Sequence, residues 1–218
     1  FAVNENGRSA MYLLDPRTRK YRPIENVPTG VAGRMAFSPD GRKLAMTLNT
    51  ATTPSDTFVL ELGQGPLDYG NLTRWTYSEV GGLDTTAFRE PELISYPTFD
   101  KVDGKPRESP AWVYKPAGEG PFPVVVSIHG GPEAQSRPWF ISTYQMWLAK
   151  LGVAVVVPNV RGSSGYGKTY LGLDNGFKRE DSVKDIGALL DWIALQPDLD
   201  ADRVAVFGGS YGGYMVLA

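Results

Sequence analysis

The sequence has no cysteine and a single histidine, His129, in 218 residues. Without thiols it can build no disulfide, zinc-thiolate site, iron–sulfur cluster or cysteine nucleophile. One imidazole leaves little from which to build a metal site. Any Ser-His-Asp chemistry must use His129 or a histidine outside these residues. An excess of charge is missing too: 22 Lys+Arg against 24 Asp+Glu gives a net charge of −2, which suggests neither a nucleic-acid surface nor an acidic tail. No run approaches the ~20 apolar residues of a membrane-spanning helix, and the longest, Val153 to Val157, is strand-sized. The chain reads as soluble, with no membrane partner and an undetermined compartment. It opens at Phe1 without Met, a basic stretch or an apolar run of signal length, and closes in the uncapped apolar stretch Tyr214 to Ala218. Both ends read as cut.

Two textures divide what is present. Up to about Leu83, short β-type runs alternate with turn signals: Ala10 to Leu14, Arg34 to Phe37, Lys43 to Leu48, Thr57 to Leu62 and Leu72 to Thr76. Ser38-Pro39-Asp40-Gly41 between the second and third predicts a tight hairpin, since Pro presets φ and Gly supplies a positive one. The segment reads as antiparallel and all-β. Its length suits about two propeller blades at ~40–45 residues each, or a piece of a sandwich.

From about residue 92 strands alternate with helices. Leu93 to Tyr96 and Ala111 to Tyr114 flank a turn at Asp103-Gly104, and Val124 to Ile128, Val153 to Val157 and Arg203 to Phe207 read as strands. A helix is predicted over Pro138 to Lys150, ended by Gly152. A second is predicted with Ser182 as its cap, Val183, Ile186, Leu190, Ile193 and Ala194 on its buried face, and Pro197 as its stop. Continuous apolar strands separated by amphipathic helices indicate an α/β fold with a mostly parallel sheet covered on both faces. Ligands of such sheets bind at the carboxyl ends of the strands.

Three strand ends carry motifs. After Arg203 to Phe207 comes Gly208-Gly209-Ser210-Tyr211-Gly212-Gly213, a G-x-S-x-G match between a strand and a helix-compatible segment. Such a turn projects a strained serine outward, so the positions two before and two after it crowd together and need glycine. Ser210 is the candidate nucleophile, beside a helix N-terminus whose free N–H groups face a developing oxyanion. After Val124 to Ile128 comes His129-Gly130-Gly131-Pro132. A loop of this kind supplies a second oxyanion donor, so Gly131 N–H and Tyr211 N–H form the candidate pair. His129 precedes Ser210, whereas the triad order in this architecture is Ser, Asp or Glu, then His. It is therefore read as a residue that steadies its loop.

After Val153 to Val157, Gly162 to Thr169 satisfies G-x-x-x-x-G-K-[ST], the phosphate-cradling pattern, with Lys168 in the phosphate-binding position. Pro158 to Arg161 separates it from the strand, Gly172 and Gly176 follow in place of a good helix, and no later strand ends in an Asp for Mg²⁺. A nucleotide-binding protein is the alternative from a different class. The main reading is a glycine-rich loop packed near Ser210, with Arg161 as its charged anchor.

Taken in order, Ser-Ile-His-Gly-Gly-Pro (127–132), Asn-Val-Arg-Gly-Ser-Ser-Gly-Tyr-Gly (159–167) and Gly-Gly-Ser-Tyr-Gly-Gly-Tyr (208–214) resemble the prolyl oligopeptidase family of serine peptidases, in its acylaminoacyl-peptidase and dipeptidyl-aminopeptidase-like branch. The resemblance covers about residues 88–218, and Ser38-Pro39-Asp40-Gly41 recurs in that family's propeller. It implies that residues 1–86 are the C-terminal part of a β-propeller and that 87–218 are the N-terminal part of an α/β-hydrolase domain, cut just after the nucleophile elbow. It further implies hydrolysis of short peptides through an acyl-enzyme on Ser210, without a cofactor, in a protein that is free to form homo-oligomers at full length. The sequence departs from the family in one respect. Only eight residues follow Ser210, so the triad Asp and His are absent and these residues by themselves are expected to be inactive. An esterase on the same fold is the near alternative.

Overall fold

A computed structural model describes residues 1–218. They form two compact units, Phe1–Thr85 with Arg137–Ile141, and Thr86–Ser136 with Ser142–Ala218.

The first unit holds two antiparallel meanders. One is β1 (Ala2–Glu5), β2 (Arg8–Asp15) and β3 (Lys20–Pro23); the other is β4 (Gly30–Phe37), β5 (Lys43–Thr50), β6 (Asp56–Leu62) and β7 (Tyr69–Arg74). The strands β1 and β3 carry mostly exposed residues and so lack the apolar alternation that reveals β2 and β5 in the sequence. In β5 alternate residues Leu44, Met46 and Leu48 point inward and meet Phe58 and Leu60 of β6 together with Met11 and Leu13 of β2. The expected hairpin joins β4 to β5: Gly41 N–H donates to Ser38 O at 2.9 Å, and Asp40 accepts from Ser38 Oγ at 2.6 Å. At the start of β6, Asp56 is almost completely buried and accepts from Arg74 (2.6 Å), Thr76 Oγ1 (2.8 Å), and both the N–H and Oγ of Ser78 (2.9 Å each).

The second unit is built on a five-stranded sheet. Its strands are β8 (Glu92–Val102), β9 (Lys105–Tyr114), β10 (Phe122–Ile128), β11 (Ala154–Pro158) and β12 (Leu199–Gly208), in the order β12-β10-β11-β9-β8. Pairing is parallel at β12–β10 and β10–β11 and antiparallel at β11–β9 and β9–β8. The β8–β9 hairpin turns at Asp103 and Gly104, with φ of 51° and 79°, the pair of positive values that a two-residue turn matching strand twist requires. Both faces of the central strands are buried. On one face Val124, Val126, Ile128, Ala154 and Val156 pack against Ile186, Leu189 and Ile193 of α3 (Asp181–Ala194) and Met215 of α4 (Tyr211–Leu217). On the other, Ser127 Oγ meets Tyr144 OH at 2.7 Å on α1 (Ser142–Met146). Burying each large aliphatic side chain of α3 contributes about 1.5–3 kcal/mol.

Two helices differ from expectation. The first starts at Ser142 instead of Pro138, continues as a wider turn over Trp147–Leu151, and is closed by Gly152 at φ 62°. Residues 137–141 belong to the first unit and stay non-helical because they bond within it: Arg137 Nε donates to Gly7 O at 2.7 Å and Phe140 N–H to Asn49 Oδ1 at 2.6 Å. In α3 the buried residues are Ser182, Asp185, Ile186, Leu189 and Ile193, while Leu190 and Ala194 face outward. Ser182 is not its cap but lies in the first turn, where its Oγ donates to Arg179 O at 2.6 Å.

Candidate active site

Ser210 stands between β12 and α4 with φ 54° and ψ −121°. A non-glycine residue there stores about 1–3 kcal/mol of strain and persists only where its surroundings enforce it. The neighbours do so by contact. A Cβ on Gly208 would lie 2.6 Å from the carbonyl carbon of Gly212, and one on Gly212 would collide with the carbonyl oxygen of Ile128 at the end of β10. The two flanking glycines thus have different partners, one across the turn and one on the neighbouring strand. Ser210 is exposed. Tyr214 N–H is the first amide to bond back, to Ser210 O at 3.1 Å, so the amides of Tyr211, Gly212 and Gly213 precede the first intrahelical bond.

The His129 loop lies directly against this turn. A Cβ on Gly130 would be 3.4 Å from Ser210 Cβ and 3.8 Å from its Oγ. Gly131 follows at φ 129°, where an added Cβ would press to 2.8 Å on Glu133 N, so only glycine fits the turn that aims this stretch of backbone. Both ring nitrogens of His129 are engaged: Nδ1 with Gly130 O at 2.7 Å and Nε2 with Ser163 Oγ at 2.9 Å. Burial holds its pKa below the ordinary histidine value, so the neutral ring is favoured. His129 thus links its own loop to the loop after β11.

The side chain of Tyr211 is fixed by a cluster that the sequence reading missed. Its hydroxyl lies 2.5 Å from Ser182 Oγ on α3 and 3.3 Å from Asp174 Oδ2, while Asp174 pairs with Arg179 at 2.7 Å. Arg179 also lies over the Tyr211 ring, 5.2 Å from its centroid. Burial pushes the phenol pKa up, which keeps it a donor. These partners are spread over residues 174–182 with no periodic spacing to signal them.

The glycine-rich loop does not cradle phosphate. The carboxylate of Asp174 fills the space beside Gly162, placing a negative charge where a phosphate would need donors. The helix that follows, α2 (Gly167–Leu171), has five residues, and Lys168 and Thr169 are exposed. Arg161 is buried as the anchor of the loop, bound to Asp185 and to Asp100.

Comparison with known proteins gives this arrangement its relatives. Residues 138–218 match the family model described as "Prolyl oligopeptidase family". An uncharacterized peptidase, YuxL, of Bacillus subtilis (strain 168) is 32% identical over 191 residues, 83% of this chain and 26% of the relative. Dipeptidyl aminopeptidase BIII of Pseudoxanthomonas mexicana is 38% identical over 125 residues, 57% of this chain and 17% of the relative. The crystal structure of a puromycin hydrolase superposes with a TM-score of 0.75 at 24% identity, covering 97% of this chain and 31% of that one. The chain therefore spans about a quarter of the length of the first of these relatives. Its β-meanders and mixed sheet correspond to the β-propeller and α/β-hydrolase parts of such structures. On the family match, the relatives and the fold, the chain belongs to the prolyl oligopeptidase family of serine peptidases.

Proposed function

We propose that the chain is part of a serine peptidase that hydrolyses short peptides through an acyl-enzyme on Ser210. Residues 1–86 are read as the C-terminal part of its propeller and 87–218 as the N-terminal part of its catalytic domain. The observation that carries this reading is the strained Ser210 at the start of α4, with the Gly130–Gly131 turn against it. Ser210 Oγ attacks the scissile carbonyl carbon and gives its proton to a general base. The oxyanion is held by the N–H groups of Gly131 and Tyr211, each such donor contributing about 10²–10³ in kcat. Collapse of the tetrahedral adduct expels the amine, which takes up that proton, and water then releases the acid product by the same route in reverse. His129 is a poor base for this step because both ring nitrogens are already bonded. The base, and the Asp that orients it, are assigned to the parent protein outside residues 1–218.

A fluorophosphonate probe tests this in the parent protein. Labelling is expected on Ser210 and lost in Ser210→Ala, whereas the 218-residue chain alone is expected to show no peptide turnover. Undiminished labelling of the Ser210→Ala protein, or robust peptidase activity from the isolated chain, overturns the reading.

A further inference from the structure

We propose that Ser163 is a positioning residue for the oxyanion turn: its hydroxyl, bonded to His129, clasps the loop after β11 to the loop after β10 and so fixes Gly130 and Gly131 against Ser210. The inference rests on the assignment of Ser210 as nucleophile and concerns what holds the opposite side of that site.

The two loops are laced together along their length. At the base, Ser136 N–H donates to Asn159 Oδ1 at 2.6 Å and Asn159 Nδ2 returns a bond to Ser136 O at 3.0 Å. Further along, Ser164 N–H donates to Ala134 O at 2.9 Å. At the end nearest Ser210, Ser163 Oγ meets His129 Nε2 at 2.9 Å. Ser163 is fully buried, and its own N–H is used on Val160 O at 3.0 Å. The first two ties are made at Ser136 and Ala134; only the last holds the residue adjacent to Gly130.

The protons on this tie can be assigned from its ends. Gly130 O can only accept, so His129 Nδ1 carries a hydrogen and donates to it. In the neutral ring Nε2 is then an acceptor, and the bond from Ser163 runs from hydroxyl to imidazole. Burial of the ring disfavours the doubly protonated form, in agreement with that direction. Ser163 thereby sets tautomer and ring angle together, and the ring in turn holds the Gly130 carbonyl. Turning that carbonyl rotates the peptide unit whose N–H belongs to Gly131, the candidate oxyanion donor. Loss of the hydroxyl leaves Nε2 without its donor and the ring held only through Nδ1. A misaimed donor weakens transition-state binding more than substrate binding.

The test is a cycle of Ser163→Ala, His129→Ala and the double variant in the parent peptidase, with kcat referred to active sites titrated by fluorophosphonate. Ser163→Ala is expected to lower kcat on the order of tenfold to a hundredfold, as a displaced group does, with KM nearly unchanged. The double variant is expected to match His129→Ala alone, because Ser163 acts through the ring. Full kcat per titrated site in Ser163→Ala, or losses that multiply in the double variant, overturns the proposal. A separate readout uses the 218-residue chain, where His129 is the sole histidine. Its imidazole ¹⁵N spectrum is expected to show the Nδ1–H form, giving way to a tautomer mixture in Ser163→Ala; an unaltered spectrum counts against the clasp. If Ser210→Ala still labels, the nucleophile assignment fails instead, so the two failures are distinct.

Discussion

Arg161 and Asp185 meet through three hydrogen bonds inside the second unit. Arg161 Nε donates to Oδ2 at 2.9 Å, a terminal guanidinium nitrogen to Oδ1 at 2.7 Å, and the Arg161 backbone N–H to Oδ2 at 2.9 Å. Both residues are almost wholly buried, and the same guanidinium reaches Asp100 of β8 at 2.8 Å. One guanidinium therefore ties the glycine-rich loop to α3 and to the entering hairpin.

Removing one partner strands a buried charge. Asp185→Ala is expected to cost about 3–5 kcal/mol, while the double replacement Arg161→Met with Asp185→Leu recovers most of the loss. Urea unfolding of the three proteins decides this: a double variant as unstable as Asp185→Ala would show that the pair does more than neutralise itself.

Around Ser210 the prediction separates two neighbouring glycines. Gly208→Ala drives a Cβ to 2.6 Å from the carbonyl carbon of Gly212, whereas a Cβ on Gly209 meets nothing within 4 Å. In the parent peptidase Gly208→Ala is expected to slow fluorophosphonate labelling by at least about tenfold, the order of loss expected from a misplaced reacting group. Gly209→Ala is expected to leave the rate within about twofold. Equal effects would mean that the crowding across the turn does not set the serine's geometry.

In the first unit Asp56 is the test of cohesion. Burial by itself would raise its pKa, but the bonds from Thr76, Ser78 and Arg74 outweigh that and hold it below the ordinary carboxylate value. A carboxyl depressed in the fold stabilises it above the unfolded value, about 3.9, and the contribution is lost as pH falls through the folded value. Asp56→Ala is expected to cost about 3 kcal/mol by taking the carboxylate from Arg74, Thr76 and the Ser78 N–H. Unfolding followed by the fluorescence of nearby Trp75 measures it, and stability should become flatter with pH at the acid end.

His129 gives a second pH dependence of the same sign. Its pKa is lowered by burial, so below about 6.5 the unfolded chain takes up a proton that the folded chain resists. The stabilisation is complete above that pH and declines as pH falls toward the folded value. With no other histidine in the sequence, comparing His129→Gln with the parent sequence between pH 5 and 8 (roughly the window of imidazole titration) isolates the effect. A variant with the same slope would show that the ring is not its source.

The sequence made the elbow, the hairpin turns and the order of strands readable because each depends on local chemistry: glycine at crowded turns, apolar runs in covered strands. The buried face of α3 was harder. Counting only apolar positions turns the helix toward Leu190 and Ala194, whereas its inner face includes Asp185. A carboxylate looks like a surface residue until Arg161, distant in sequence, is brought to it. The start of α1 fails for a related reason, since residues 137–141 satisfy their polar groups elsewhere. Tyr211, Asp174, Arg179 and Ser182 assemble only once α4 lies beside α3, and no spacing rule announces them.

The pairing of β10 with β12 has a consequence for the order in which the molecule forms. Val124, Val125 and Val126 align with Val204, Ala205 and Val206, so this contact waits for closure of a loop that contains β11 and α3. Such closures are slow steps in folding, because chain entropy is lost before the contact compensates for it. Until they occur, Gly212 has no Ile128 carbonyl to abut and Gly130 has no Ser210 beside it. The strained serine's setting thus depends on a contact between segments far apart in the sequence and is not encoded by the elbow residues alone.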